Sequence, residues 1–202
     1  MPLPQPPLIL ASGSTSRRAM LEAAGLAIET RPARIDEEAI RAALQVEGAS
    51  PRDQADALAE MKARKVSDKA PGALVLGADQ ILELKGEVFV KPETPEIART
   101  QIRALSGKTH RLLSAAVIYR DGKPLWRHVG EARLTLNELS DGFIDGYVSR
   151  NWDEIRHTVG GYMIEKEGVR LMARIEGDHF TILGLPLLPL LSWLRVTGEI
   201  EA

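Results

Sequence analysis

The chain has 202 residues, of which 44% are hydrophobic and 27% charged, a composition typical of soluble globular proteins. A formal net charge of -2 argues against a surface that holds nucleic acid by its phosphates. The absence of cysteine excludes disulfides and thiolate chemistry and is compatible with a cytoplasmic location. The segment Met1 to Pro7 carries no basic residue, which is unlike the start of a signal peptide. The longest apolar stretch, Ile182 to Leu194, is interrupted by glycine and proline and is too short to span a bilayer, so no membrane partner is expected.

Helices and strands alternate in the first part of the chain. The predicted elements are a strand over Leu8–Ala11, a helix from about Ser16 to Gly25, a strand over Ala27–Arg31, a helix capped by Asp36 that runs to Gln45, and a long helix from Ser50 to about Pro71. Ser50 is a preferred N-cap residue, and the proline that follows it is typical of a first helical position.

The remainder of the chain is richer in strands. We predict strands over Ala73–Ala78, Ile81–Leu84 and Val88–Val90, a helix over Pro95–Leu105, long strands over Thr109–Tyr119 and Leu125–Leu136, a helix from Ser140 to Arg150, mixed strand and loop over Val159–Ile175, and a last helix from Pro186. Strands that alternate with helices indicate an α/β fold with a mixed sheet. We expect residues 1–202 to form a single domain.

Lys62 lies on the apolar face of the helix that follows Ser50. The apolar residues that define this face are Ala55, Leu58, Ala59 and Val66. An ionised side chain is almost never buried without partners. The ammonium therefore either reaches solvent past the edge of the helix or contacts a phosphate, and the residues alone leave both interpretations open.

Asp79 follows the apolar run Ala73–Ala78, which predicts a buried strand with an acid at its carboxyl end. Ligands of open α/β sheets bind at that edge, and Gly77 permits a close approach of backbone. The alternative is a turn aspartate whose side chain caps its own backbone.

The segment from Ser12 to Arg18 joins a strand to the start of a helix. Backbone N–H groups and the helix dipole favour an anion at such a position, and small residues let a phosphate come close. Arg17 and Arg18 add positive charge. The alternative is an ordinary polar loop with a solvated basic pair.

Two other charged residues stand at element boundaries. Glu37 follows the predicted helix cap Asp36, and its carboxylate either complements the helix dipole or reaches a metal ion. Lys91 precedes Pro92, which keeps it extended, and edge-strand protection is the alternative to a phosphate contact. The four histidines show no metal-ligand spacing.

Taken together, these segments resemble the Maf family of nucleotide pyrophosphatases over almost the whole chain. The motifs that carry the resemblance are Leu8–Ser14 with the basic pair at 17 and 18, Asp36-Glu37, Lys62-Ala63, Gly77-Ala78-Asp79, Lys91-Pro92, Leu105–His110 and Gly184–Leu187. The resemblance implies an α/β fold with a mixed, twisted sheet, flanking helices and two lobes around a cleft, similar to inosine-triphosphate pyrophosphatases.

The resemblance also implies an activity: hydrolysis of nucleoside triphosphates between the α- and β-phosphates, which yields a nucleoside monophosphate and pyrophosphate. It places the catalytic aspartate on Asp79. The implied phosphate-binding residues are Ser12, Arg17, Lys62 and Lys91. A divalent cation, Mg²⁺ or Mn²⁺, is implied as the cofactor, with Glu37 and Asp79 as its ligands.

Three positions, Ser16, Gln80 and Glu165, are expected to set the preference for the base. Gln80 and Glu165 are similar to the family branch that acts on 7-methyl-GTP, whereas the dTTP and UTP branch carries threonine and glutamine there. A carboxylate accepts both N–H donors on the pairing edge of guanine and favours the positive charge of a methylated ring. Because Ser16 offers no aromatic surface where the 7-methyl-GTP branch can carry tryptophan, a dTTP/UTP pyrophosphatase remains the alternative.

A non-catalytic nucleotide-binding protein that regulates septation is the alternative to an enzyme. The acids at positions 79 and 37 and the lysines at positions 62 and 91 argue against an inactive site. A nucleic-acid partner is disfavoured by the net charge and by only 4% aromatic residues. A homodimer is left open by the sequence.

Overall fold

The computed structural model describes residues 8–201, which contain seven β-strands and seven α-helices. The strands are β1 (Leu8–Leu10), β2 (Ile28–Thr30), β3 (Val75–Leu84), β4 (Glu87–Phe89), β5 (Thr109–Arg120), β6 (Lys123–Leu136) and β7 (Met172–Glu176). The helices are α1 (Thr15–Ala23), α2 (Glu37–Val46), α3 (Pro51–Ser67), α4 (Pro95–Leu105), α5 (Asp141–Ile155), α6 (His179–Ile182) and α7 (Leu187–Val196), and short 3₁₀ turns cover Val159–Gly161 and Glu167–Leu171. The signal-peptide prediction concerns Met1–Pro7, which lie outside the described residues.

The strands are hydrogen-bonded in the order β2-β1-β3-β5-β6-β7, and β4 pairs with β3. β1 runs parallel to both β2 and β3, whereas the β3–β4 and β6–β7 pairs are antiparallel. The prediction of an α/β fold with a mixed sheet and flanking helices is therefore confirmed. Among residues 8–201, every helix is too short or too polar to cross a bilayer.

The chain divides into two compact units. The first comprises the described residues of Met1–Gln80, Ser114–Gly130 and His179–Ala202, and the second comprises Ile81–Leu113 and Glu131–Asp178. Three strands, β3, β5 and β6, contribute residues to both units. The expectation that the chain is a single domain stays a prediction.

In the first unit, alternate residues of β3 belong to two different cores. Leu76 and Ala78 join a cluster with Leu10, Leu21 and residues of α7, whereas Val75 joins a smaller cluster with Ile9 and residues of α3. Successive side chains of a strand point to opposite faces, so the odd-numbered residues of β3 share the face of Val75. Asp79 is therefore on that face and Gln80 on the other.

Gly77 is the point at which α3 comes closest to β3. A Cβ built on Gly77 would lie 2.0 Å from the carbonyl oxygen of Ala59 and 2.6 Å from the backbone nitrogen of Ala63. Only a residue without a side chain permits this contact. The close backbone approach expected at Gly77 is confirmed, and the partner is a helix of the same chain.

Helix starts follow the predicted capping residues. The side chains of Asp36 and Ser50 accept hydrogen bonds from the backbone N–H groups of Ala39 and Asp53, at 3.0 and 3.2 Å. Ser140 caps α5 in the same way. These bonds satisfy N–H groups that have no partner within the helix, which explains why short polar residues mark the helix boundaries.

The prediction differs from the structure in three places. The two strands predicted over Ala73–Ala78 and Ile81–Leu84 are one continuous strand, β3, so Asp79 lies inside a strand rather than at its carboxyl end. The strand continues because the polar side chains at 79 and 80 both find partners, described below. The helix α6 was not predicted, since its four residues are too few for a periodic pattern. The segment over Val159–Ile175 contains two 3₁₀ turns before β7.

In the second unit, His110 is buried with Tyr162. The His110 ring is 1% exposed, and its Nε2 lies 2.6 Å from the Tyr162 hydroxyl. Its Nδ1 is buried without a hydrogen-bond partner among residues 8–201. A protonated ring would need an acceptor at that nitrogen, and burial lowers the pKa of His110 from 6.5 to about 4.

Gly77→Ala should destabilise the protein by about 1–3 kcal/mol, because α3 must move away from β3 to admit the methyl group. Urea unfolding measures the change. Gly142→Ala is the matched control, since a Cβ at that helical position meets no atom within 4 Å. Equal stability of the Gly77→Ala variant and the parent protein would contradict the packing described here.

The stability of the protein should fall as the pH drops from about 6.5 to about 4, since His110 of the unfolded chain binds a proton that the folded chain excludes. The shift corresponds to a loss of about 3 kcal/mol below that range and to full stability above it. Unfolding free energies across this range should show a smaller loss for His110→Gln. Tyr162→Phe keeps the ring buried and should retain the pH dependence; parallel curves for His110→Gln and the parent protein would disprove the assignment.

Candidate active site

The centre of the candidate site is an ion pair between α3 and β3 in the first unit. The Nζ atom of Lys62 lies 2.7 Å from Oδ1 of Asp79, and both side chains are almost fully buried, with 8% and 6% of their surface exposed. The predicted position of Lys62 on the buried face of the helix is confirmed. Because its ammonium ends on a buried carboxylate, the interpretation that it reaches solvent past the helix edge is wrong.

Glu37 joins the same ammonium from the first turn of α2. Its Oε1 lies 2.7 Å from Nζ of Lys62, and its side chain is 41% exposed. The N-terminus of a helix favours a carboxylate, and Asp36 caps that terminus with its own side chain. Asp36 therefore caps the helix, and the Glu37 carboxylate pairs with Lys62. The interpretation that Glu37 reaches a metal ion stays a prediction.

The two oxygens of the Asp79 carboxylate differ in their surroundings. Lys62 occupies Oδ1, whereas Oδ2 is buried and makes no hydrogen bond to any residue between 8 and 201. A buried carboxylate oxygen without a partner is costly unless water or a ligand supplies the missing contact. Asp79 makes no contact of the kind that caps its own backbone, so the turn-aspartate interpretation is not supported.

Arg17 is buried beside this cluster and is bonded within the protein. Its Nε donates to the carbonyl oxygen of Gly184 at 2.8 Å, and its Nη1 donates to Ser12 Oγ at 3.2 Å and to the carbonyl oxygen of Ala78 at 3.1 Å. Burial lowers the pKa of Arg17, and the negative charges of Asp79 and Glu37 oppose that shift. Arg17 is therefore held in place by three acceptors of the protein. Arg18, in contrast, is exposed and pairs with Glu22.

The hydroxyl oxygen of Ser12 already accepts two hydrogen bonds. Its oxygen accepts from the backbone N–H of Ser14 at 3.2 Å and from Nη1 of Arg17 at 3.2 Å. A hydroxyl has two lone pairs and one hydrogen, so the remaining capacity of Ser12 is to donate. This polarity suits a group that presents only acceptor oxygens, such as a phosphate.

The three positions expected to set base preference lie in different surroundings. Ser16 is half-buried at the second position of α1. Gln80 is half-buried in β3, with its side-chain nitrogen 3.0 Å from Ser114 Oγ. Glu165 is exposed between the two 3₁₀ turns of the second unit. The structure brings Gln80 close to Arg17 and Gly184.

Lys91 and Glu165 both belong to the second unit. Lys91 is exposed just beyond β4, before the buried Pro92. The phosphate-binding role of Lys91 and the base-reading role of Glu165 stay predictions.

A divalent cation fits the donor set of the first unit only if its remaining ligands come from elsewhere. No group of three or more histidine, aspartate or glutamate side chains that could hold a metal occurs among residues 8–201. Mg²⁺ is commonly held by one or two carboxylates together with waters and the phosphates of a substrate. Glu37 and Asp79, which meet at one ammonium, are the two hard carboxylates of the first unit that could hold such an ion.

Sequence reasoning missed Ser114 and the turn over Thr181–Gly184, which contact the candidate site residues Gln80 and Arg17. Ser114 lies within an apolar strand pattern and has no spacing that marks it. For the turn, the only available signal was Gly184 within the motif Gly184–Leu187.

Lys62→Met should destabilise the protein by about 3 kcal/mol, because it leaves the Asp79 carboxylate buried without a counter-ion. Asp79→Asn in the same background removes that charge and should restore part of the loss. Urea unfolding of the two single variants and the double variant completes the cycle. A loss within about 0.5 kcal/mol for Lys62→Met would show that the pair is not formed in solution.

Comparison with known proteins gives the family. Residues 7–197 match the family described as Maf-like protein. A protein of Ruegeria pomeroyi named nucleoside triphosphate pyrophosphatase is 57% identical over 195 residues, which are 96% of this chain and 98% of that protein. A protein of Mesorhizobium japonicum named 7-methyl-GTP pyrophosphatase is 55% identical over 96% of this chain and 98% of that protein.

Among solved structures, a HAM1 protein from Coxiella burnetii overlaps with 65% of this chain and 73% of its own at a TM-score of 0.45 and 16% identity. The family match leaves only the ends of the sequence uncovered, and more than half of the aligned residues are identical in the two relatives named above. The chain belongs to the Maf-like protein family.

Proposed function

We propose that this protein hydrolyses nucleoside triphosphates between the α- and β-phosphates and releases a nucleoside monophosphate and pyrophosphate. The observation that carries the proposal is the buried Asp79: Lys62 holds its Oδ1, and its Oδ2 has no hydrogen-bond partner among residues 8–201. The names of the relatives from Ruegeria pomeroyi and Mesorhizobium japonicum support the same class of activity.

Asp79 is the proposed catalytic base. Cleavage of a phosphoanhydride requires a positioned water and stabilisation of charge more than it requires covalent chemistry. Oδ2 of Asp79 would accept the proton of the water that attacks the α-phosphorus. The bond between the α-phosphorus and the oxygen that bridges it to the β-phosphorus would break, and that oxygen would leave as part of pyrophosphate. Lys62 fixes the carboxylate in one orientation, so that the free oxygen stays in place.

Glu37 and Asp79 are the proposed ligands of Mg²⁺ or Mn²⁺. When bound, such an ion neutralises phosphate charge and orients the phosphate oxygens. The two carboxylates meet at Lys62 in the structure. The Glu37 side chain is exposed enough to exchange the Lys62 ammonium for a metal ion. Metal dependence is thus part of the proposal, and its support is the chemistry of these two side chains.

Ser12, Arg17, Lys62 and Lys91 are the proposed phosphate-binding residues. Ser12 has only its hydrogen left to offer, which suits a phosphate oxygen. The loop that carries Ser12 leads into the N-terminus of α1, where a helix dipole favours an anion. Arg17 contributes its charge from a buried position, and Lys91 completes the proposed set.

The proposed base preference is for 7-methyl-GTP, with Glu165 as the residue that reads the base and Ser16 as a second contributor. A carboxylate at 165 would accept from two N–H donors of the guanine edge. The relative from Mesorhizobium japonicum, whose name gives 7-methyl-GTP, supports this preference. The general name of the relative from Ruegeria pomeroyi leaves dTTP and UTP as the competing substrates.

Asp79→Asn should lower kcat by about a thousandfold while nucleotide binding persists, because the amide cannot accept the proton of the water. Turnover is measured as pyrophosphate release from 7-methyl-GTP, GTP, UTP and dTTP at equal concentration, with Mg²⁺ or Mn²⁺. Asp153→Asn, which removes an exposed acid of α5, is the control and should retain full activity.

The position of attack has its own readout. In water labelled with heavy oxygen, attack on the α-phosphorus places the label in the monophosphate, whereas attack on the β-phosphorus places it in pyrophosphate. Normal turnover by Asp79→Asn would refute the mechanism. Nucleotide binding without pyrophosphate release by the parent protein, with either metal, would instead favour the non-catalytic regulator.

A further inference from the structure

Gln80 lies at the centre of a second polar network, on the face of β3 opposite to Asp79. Its Nε2 lies 3.0 Å from Ser114 Oγ, 3.2 Å from the carbonyl oxygen of Thr181 and 3.0 Å from that of Ile182. All four residues belong to the first unit. The carboxamide therefore ties β3 to β5 and to the end of α6.

The orientation of this carboxamide is fixed by the chemistry of its partners. The two backbone carbonyls only accept hydrogen bonds. Ser114 Oγ donates to the carbonyl oxygen of Thr181 at 2.7 Å, so its oxygen is left to accept from Gln80. All three partners of Nε2 are acceptors and therefore require an N–H donor. A carboxylate at this position would place an acceptor oxygen against three acceptor atoms.

The turn that Gln80 holds also holds Arg17. Gly184 ends this turn with φ of +105°, a conformation that side chains disfavour, and its carbonyl oxygen accepts from Nε of Arg17 at 2.8 Å. The same guanidinium then reaches Ser12 Oγ and the carbonyl oxygen of Ala78. A continuous chain of hydrogen bonds thus runs from Gln80 through the turn to Arg17 and Ser12.

We propose that Gln80 is a positioning residue: it anchors the turn over Thr181–Gly184, and the turn sets Arg17 and Ser12 in the geometry that the phosphates require. The inference rests on the proposed function. It differs from the expectation that Gln80 selects the base, because its side-chain donors are already used by the protein. A residue of this kind affects every nucleotide alike.

The discriminating experiment is Gln80→Glu, which keeps the shape of the side chain and removes the donor. Loss of a half-buried donor next to carbonyl acceptors should lower kcat/KM at least about tenfold for 7-methyl-GTP, GTP, UTP and dTTP, with their ratios unchanged. Since a protonated glutamate can donate again, the deficit relative to the parent protein should shrink as the pH falls. Ser114→Ala, which spares the bonds from Nε2 to the two carbonyls, should lose less.

Hydrogen exchange gives a readout that does not depend on activity. In Gln80→Glu, the amides of Gly184 and Leu185, which bond to the carbonyls of Thr181 and Phe180, should exchange faster than in the parent protein. If Gln80→Glu does not fold, Gln80→Asn, which is one methylene shorter and neutral, carries the same comparison. A changed ratio between nucleotides with unaltered exchange would overturn the inference in favour of base selection.

The two proposals fail in different ways. If the parent protein releases no pyrophosphate from any nucleotide, the proposed function is wrong, and the exchange of Gly184 and Leu185 still tests whether Gln80 anchors the turn. If the parent protein is active and Gln80→Glu retains full kcat/KM on all four nucleotides, the positioning role is wrong and the proposed function stands.

Discussion

The buried ion pair between Lys62 and Asp79 is the interaction on which the rest of the first unit depends. A strand can carry an acid in its middle only if a counter-ion meets it there, and α3 supplies that ion from a position where other helices carry an apolar residue. The pair requires close contact of helix and strand, which the missing side chain of Gly77 permits. It also brings in α2, whose first residue, Glu37, shares the same ammonium.

The charges of this cluster balance without any ligand. Lys62 and Arg17 face Asp79 and Glu37, so a triphosphate would approach a neutral group of residues rather than a surplus of cations. Under the proposed function, a divalent cation held by Glu37 and Asp79 and the hydroxyl hydrogen of Ser12 would attract the phosphates. The sequence motifs imply phosphate-binding roles for Arg17 and Lys62 and do not show that both side chains are already bonded within the protein.

Local patterns predicted the elements well, since capping residues such as Asp36 and Ser50 act within one turn of the chain. They also located Lys62 and Asp79, because a charge inside an apolar pattern is conspicuous. They could not show that Asp79 lies within a continuous strand, since that depends on partners from distant segments. Gln80 contacts Ser114, which is 34 residues away in sequence, and the end of α6, which is 101 residues away. Such contacts lie beyond the range of any local sequence pattern.

Asp79 and Gln80 are neighbours in sequence, yet they serve opposite sides of the sheet: the acid meets α3, and the amide meets the turn that holds Arg17. The pleat of β3 alone keeps these two chemistries apart. Loss or gain of a single residue between Val75 and Asp79 would exchange the two sides, leaving a carboxylate against backbone carbonyls and an amide against a lysine. The number of residues in this short stretch is therefore more strictly constrained than the identity of most of them, because that number decides which face of the sheet each polar side chain occupies.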